Sequence, residues 1–257
     1  MRVDIMIILD AIGGFLEAAV SAISVVTDTV KSFLTKLDSD MKEIGSSALT
    51  ALVAPLAIAA AVMFPELAIP EMIIAVEIIC VLISDVTKIL IGDDGIEPDD
   101  LGMRVSMAEK APESFDNYGQ YVEYLKTITP DSERLEAMSP EERLPYAMIG
   151  ASIREKQLSE SLGVDTPIDT FTVAQKVDMN AQEVSGYLEA AANRGIDELP
   201  SLGDYFAEDK LDGKAQVDAR ECLIDGISKA NPDLSETAVE EKLFDYTDSF
   251  QTDSIEE

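Results

Sequence analysis

Cys80 and Cys222 are the only two thiols of the chain, and there is no histidine to accompany them. A nucleophilic serine or cysteine needs a base beside it, and near neutral pH that base is usually histidine. Its absence removes the Ser-His-Asp and Cys-His constellations and the commonest zinc ligand together. Two cysteines are too few for a disulfide scaffold or a four-ligand zinc site. Cys80 lies inside an apolar run, where cysteine packs as a small hydrophobe. A Cys80–Cys222 bridge is open in an oxidising compartment, but nothing requires it. No metal, cofactor or catalytic residue is expected.

Carboxylates are the other groups able to do chemistry, with 50 Asp and Glu against 19 Lys and Arg and a formal net charge of -31. In such company, pairs like Asp99-Asp100 or Glu141-Glu142 carry little information. A glycosidase needs two carboxylates at a set separation across a cleft, commonly with aromatic platforms for the sugar. Aromatic residues make up 6% of this chain and tryptophan is missing. The acidic stretch GDDGIEPDD (92–100) fails the EF-hand pattern, because Leu90 and Gly92 stand where acidic ligands are needed. It reads as a solvated linker. There is no phosphate-cradling glycine loop, no GxSxG elbow and no HExxH. The chain is expected to be no enzyme.

Segment 172–196, TVAQKVDMNAQEVSGYLEAAANRGI, has the rhythm of a helix–turn–helix DNA reader. Such a reader presents Arg, Lys, Asn or Gln to base edges and holds phosphates with basic groups. Here only Lys176 and Arg194 are basic, and the second helix carries Glu183 and Glu189. A field of this sign also repels phosphate backbones. A plain helical hairpin is expected, with no nucleic acid among the partners.

The elements around these groups are helical throughout. Apolar residues recur at Ile5, Ile8, Ile12, Phe15, Ala19, Ile23, Val26, Val30, Phe33, Leu37, Met41 and Ile44, predicting an amphipathic helix with near-heptad period over 3–44. Two apolar stretches follow. Ser46 to Pro65 holds no charge over 20 residues, about the length that spans a bilayer core, with Pro55 expected to kink it. Leu67 to Ile91 carries only Glu71, Glu77, Asp85 and Lys88. Phe64 and Pro65 begin the short link between them, and Glu66 and Glu71 would sit at the tip. Glu77, Ser84 and Lys88 share one helical face, and Asp85 can pair with Lys88.

Beyond residue 100 the caps of shorter helices can be read. Ser114 is expected to cap a helix bearing Phe115, Tyr118, Tyr121, Val122 and Leu125. Ser139-Pro140-Glu141-Glu142 is a capping box with proline at the first helical position. Pro145 is expected to limit that turn before a longer helix runs to Leu162, stopped by Gly163. Thr166-Pro167 starts the next, Asn180 with Glu183 another that ends at Gly195, and Ser201, Asp212 and Ser235 three more. The tail DSIEE is expected to fray.

The expected architecture is all-α. Residues 1–92 form an apolar region with a long N-terminal amphipathic helix and a helical hairpin. Residues 93–100 are an acidic linker, and 101–257 an acidic array of short helices. Charge follows the same division: residues 1–97 net -9 and residues 98–257 net -22. No cleavable signal peptide is read, since Asp4, Asp10 and Glu17 interrupt the apolar N-terminus; export without one, or membrane association, is the expectation on location.

Two non-enzymatic functions follow. In one, the hairpin engages or inserts into a membrane as a soluble effector or pore-forming protein does, with Pro55, Phe64, Pro65, Glu66, Glu71, Glu77, Ser84 and Lys88 as its marker residues. Glu77 would then cost about 2.5–3.5 kcal/mol in the bilayer. In the other, the same helices pack against partners or further copies of the chain in a larger assembly, since soluble chains rarely leave such surface bare.

Overall fold

A computed structural model describes residues 28–44, 47–207, 211 and 213–252. They form twelve α-helices, one 3-10 turn and no strand among the described residues, an all-α fold as expected. In chain order the helices are α1 Asp28–Ile44, α2 Ser47–Met63, α3 Ile69–Leu90, α4 Pro98–Met107, α5 Tyr118–Leu125 and α6 Ser132–Ala137. There follow α7 Pro140–Leu162, α8 Asp169–Lys176, α9 Ala181–Arg194, α10 Leu202–Phe206, α11 Gly213–Ala230 and α12 Glu236–Thr252. Of the long helix expected over 3–44, residues 28–44 are helical and 3–27 lie outside the described residues, as do Asp212 and the tail DSIEE.

The chain divides into two compact units. Among the described residues, the first comprises 28–44, 47–80, Glu97–Ala111 and Val122–Ile153, and the second Val81–Ile96, Pro112–Tyr121, 154–207, 211 and 213–252.

In the first unit, α1 buries Phe33, Leu34, Leu37 and Met41 and exposes Lys31, Thr35 and Lys42, the split its spacing requires. Pro55 does not end α2, which runs through it. Pro55 and Ala51 both lie on the exposed face, so the carbonyl freed by the missing N–H is on the side water can reach. Helix α4 begins at Pro98, within the stretch read as linker, because proline suits the first helical position and Asp99 and Asp100 favour the N-terminal dipole. It crosses α7 at backbone contact. A Cβ on Gly102 would lie 1.8 Å from the Tyr146 carbonyl oxygen, and one on Gly150 1.9 Å from that of Pro98. Arg104 grips the turn after α5, donating to the Ile128 carbonyl at 2.7 Å while its Nε bonds Asp100 at 2.8 Å. The turn itself is closed by Thr127 N and Ile128 N, which donate to the Tyr124 and Leu125 carbonyls at 3.0 Å.

The capping box at Ser139 forms as expected, with Glu142 N donating to Ser139 Oγ at 3.3 Å and Ser139 N to Glu142 at 2.8 Å. Pro145, in contrast, does not limit the turn. It is buried inside a continuous 23-residue α7, where packing compensates for the one lost backbone bond. Ser114 closes the 3-10 turn Pro112–Ser114, and the helix start falls to Asn117, whose Oδ1 accepts from Gln120 N at 2.9 Å.

In the second unit, α9 and α11 cross where Gly186 faces Gly226. A Cβ on Gly186 would stand 2.7 Å from the Gly226 Cα, and one on Gly226 2.6 Å from Tyr187 N. Val184, Tyr187, Leu188 and Ala191 of α9 and Ala219, Cys222, Leu223 and Ile227 of α11 are buried around that crossing. Asn180 and Glu183 make the expected capping box, Gly195 ends α9 at φ 66°, and Gly163 follows α7 at φ 64°. Ser201 caps α10, and Ser235 Oγ accepts from Ala238 N at 3.3 Å to start α12. Helix α8 starts at Asp169, two residues after the expected Thr166-Pro167, with Thr170 N bonded to the Pro167 carbonyl at 3.0 Å.

Candidate functional site

Helix α3 is apolar nearly all round, and a helix of that kind must bury most of its circumference. Met72, Val76, Ile79, Ile83 and Val86 are fully buried. One line is left bare: Ile74 is 55% exposed, Ile78 43%, Val81 48% and Ile89 48%. Glu71, exposed, and Asp85, half-exposed, fall on the same line. These positions recur every three or four residues, so they stack on one face. The result is an apolar stripe with a carboxylate at the start and another before its last isoleucine.

Most residues singled out from sequence fall elsewhere. Phe64 and Pro65 are half-buried in the link between α2 and α3, and Glu66 is exposed beside them. Glu71 works locally, its carboxylate accepting from Ala68 N at 3.0 Å to cap α3. Glu77 is half-buried. Burial pushes its carboxyl up, Arg143 pulls it down and Asp99 adds to the rise. Glu77, Ser84 and Lys88, which share one helical face, are not joined by hydrogen bonds to one another. Ser84 is buried with its hydroxyl unpartnered, while Lys88 turns to Asp85 at 3.4 Å, as i,i+3 spacing allows. Helix α2 is 17 residues long, and among the described residues no helix is long and apolar enough to cross a membrane.

The two thiols are held out of reach, and the basic groups of segment 172–196 are engaged within the fold. Cys80 and Cys222 are buried free thiols. Burial pushes the Cys222 thiol up to about 11 and Cys80 higher, so neither is a thiolate at neutral pH. In the segment resembling a DNA reader, Arg194 is paired with Glu221 at 2.9 Å and with Asp225, and Lys176 lies 5.6 Å from the Phe250 ring centre. Among the described residues no three Cys, Asp or Glu side chains gather as a metal ion would need. Asp94 in the acidic loop instead takes the buried Arg154 guanidinium at 2.6 Å.

Two buried glutamates of the second unit resolve in opposite ways. Glu183 is fully buried. Burial would raise its carboxyl, but Lys242, Tyr246, Asn180 N and Asn231 all donate to it and hold it below the ordinary carboxylate range. Glu155 has fewer donors, Lys156 and Ser159, and burial wins, raising it. An open groove of about 310 Å³ in the same unit is lined by Ile91, Asn117, Gly119, Gln157, Glu160 and Ser161. Glu160 accepts from Tyr118 N at 2.6 Å and Gln157 accepts from Arg154, so two of its polar groups anchor the protein itself.

The reciprocal glycines and the bare line on α3 are what sequence reading missed. Gly102, Gly150, Gly186 and Gly226, each well inside a helix, were a usable signal, since each costs about 1 kcal/mol against alanine unless packing repays it. Comparison with known protein families, curated proteins and solved structures finds no match for this chain.

Proposed function

We propose that this chain is a non-enzymatic helical protein that acts through its apolar N-terminal helices, and that what they meet is another protein within a larger assembly. The observation behind this reading is the exposed line Ile74, Ile78, Val81 and Ile89 on α3. Contiguous apolar surface of this kind is the usual mark of a contact site. Its width of one residue suits another helix laid alongside, anchored at i, i+4 and i+7. The net charge of -31 disfavours approach to anionic lipid.

A photo-crosslinking residue placed at Ile78, in cells that make the protein, tests this. A discrete heavier protein band is expected, absent when the probe stands at Glu240 on α12. Adducts to lipid alone, or none, would count against it.

The second reading is that the same helices engage a membrane. What favours it is α2, whose 17 residues include no charge, with Val62 52% exposed. Engagement would then be by burial of an apolar face at the bilayer surface. Flotation of the protein with liposomes separates the two readings.

A further inference from the structure

We infer that the exposed face of α3 docks a basic amphipathic helix of a partner protein, one with an apolar stripe and cations near both ends of it. The inference rests on the interaction-protein reading and names the chemistry of the partner. Ile74, Ile78 and Val81 form the apolar centre, and Glu71 and Asp85 stand on the same line at either side. Fourteen residues separate the two carboxylates, about 21 Å along the helix. Lys88 reaches Asp85 from the flank, yet the Asp85 side chain stays 47% exposed. Glu66 before the helix and Asp93 after it extend the acidic character at both ends.

That arrangement decides among occupants. A second copy laid antiparallel brings Glu71 toward Asp85, and laid parallel sets each carboxylate against itself, so self-pairing meets like charges either way. Residues 3–27 of the chain have suitable apolar spacing but bring Asp4, Asp10 and Glu17 and no Lys or Arg. A foreign helix with Lys or Arg about 14 residues apart meets opposite charge at both ends of an apolar seam. The field of the acidic chain would also speed its arrival.

The test is fluorescence anisotropy of the full chain with three synthetic 18-residue helical peptides sharing one leucine stripe. Its flanking positions are Lys in the first, Gln in the second and Glu in the third. The Lys peptide should bind at least tenfold more tightly than the Gln peptide, and the Glu peptide not at all. Binding of the Lys peptide should fall at least tenfold in I74N/I78N/V81N, which keeps every charge, and in E71Q/D85N, which keeps the stripe. Circular dichroism confirms that both variants stay helical. Lys-peptide binding unchanged in either variant, or absent from the native chain, overturns the proposal. Equal binding of the Gln and Lys peptides, lost only in the Asn variant, overturns the cationic partner and leaves the interaction-protein reading standing.

Discussion

The α4–α7 crossing of the first unit and the α9–α11 crossing of the second solve one problem with one device. In each, two glycines allow helix backbones to touch where any side chain would hold them apart. The difference lies in what each glycine meets. Gly102 and Gly150 face separate carbonyl oxygens, those of Tyr146 and Pro98, whereas Gly186 and Gly226 face each other. The first crossing rests on two points and the second on one. The depth differs too: an added Cβ would stand 1.8–1.9 Å from backbone oxygen at the first crossing and 2.6–2.7 Å from backbone atoms at the second.

Alanine substitutions would break that comparison most sharply. Gly186→Ala or Gly226→Ala should each cost about 3 kcal/mol or more, read as the shift in a urea midpoint. The double variant should cost much less than the sum, because the first alanine already parts the helices. Gly102→Ala and Gly150→Ala should each cost more than either single change there, since their added Cβ would meet backbone oxygen at 1.8 and 1.9 Å. Equal and additive losses at both crossings would remove the distinction.

Glu183 gives the next largest effect. Its carboxyl sits below the ordinary value of about 4.3, so its contribution is present at neutral pH and is lost as pH falls through the depressed value. Glu183→Gln should cost about 2 kcal/mol at pH 7 by leaving Lys242 and Tyr246 with a poorer acceptor. It should also flatten the acid limb of the stability profile. Glu155 is shifted the other way, so ionisation works against folding there. Glu155→Gln should be neutral or slightly stabilising at pH 7, and a loss as large as that of Glu183→Gln would erase the contrast. Smallest of all is Tyr187→Phe. The Tyr187 hydroxyl is buried without a hydrogen-bond partner, so its removal should gain up to about 1 kcal/mol in thermal or urea unfolding.

Local features were legible in the sequence and distant pairings were not. The caps at Ser139, Asn180, Ser201 and Ser235 and the stops at Gly163 and Gly195 each depend on three or four neighbouring residues, which the sequence displays together. Ser114 and Pro145 misled for related reasons. Asn117 is a competing cap three residues on, and a proline's lost bond can be offset by burial that local pattern does not reveal. Gly102 meets Tyr146, and Gly186 meets Gly226, across 40 or more residues, so no local rule joins them. The candidate site was half legible. Segment 67–91 stood out as apolar, but a helix apolar nearly all round does not show which line its own fold leaves bare. Only the packing of Met72, Val76 and Ile79 inward assigns Ile74 and Ile78 to the outside.

Liposome flotation tests the central claim, that the bare face of α3 meets protein rather than lipid. The purified full chain and I74N/I78N are each mixed with neutral and with anionic vesicles at pH 7 and at pH 5. Both proteins are expected to stay at the bottom of the gradient under every condition. Flotation of the native chain that I74N/I78N abolishes would contradict the account and make that face a membrane-binding surface.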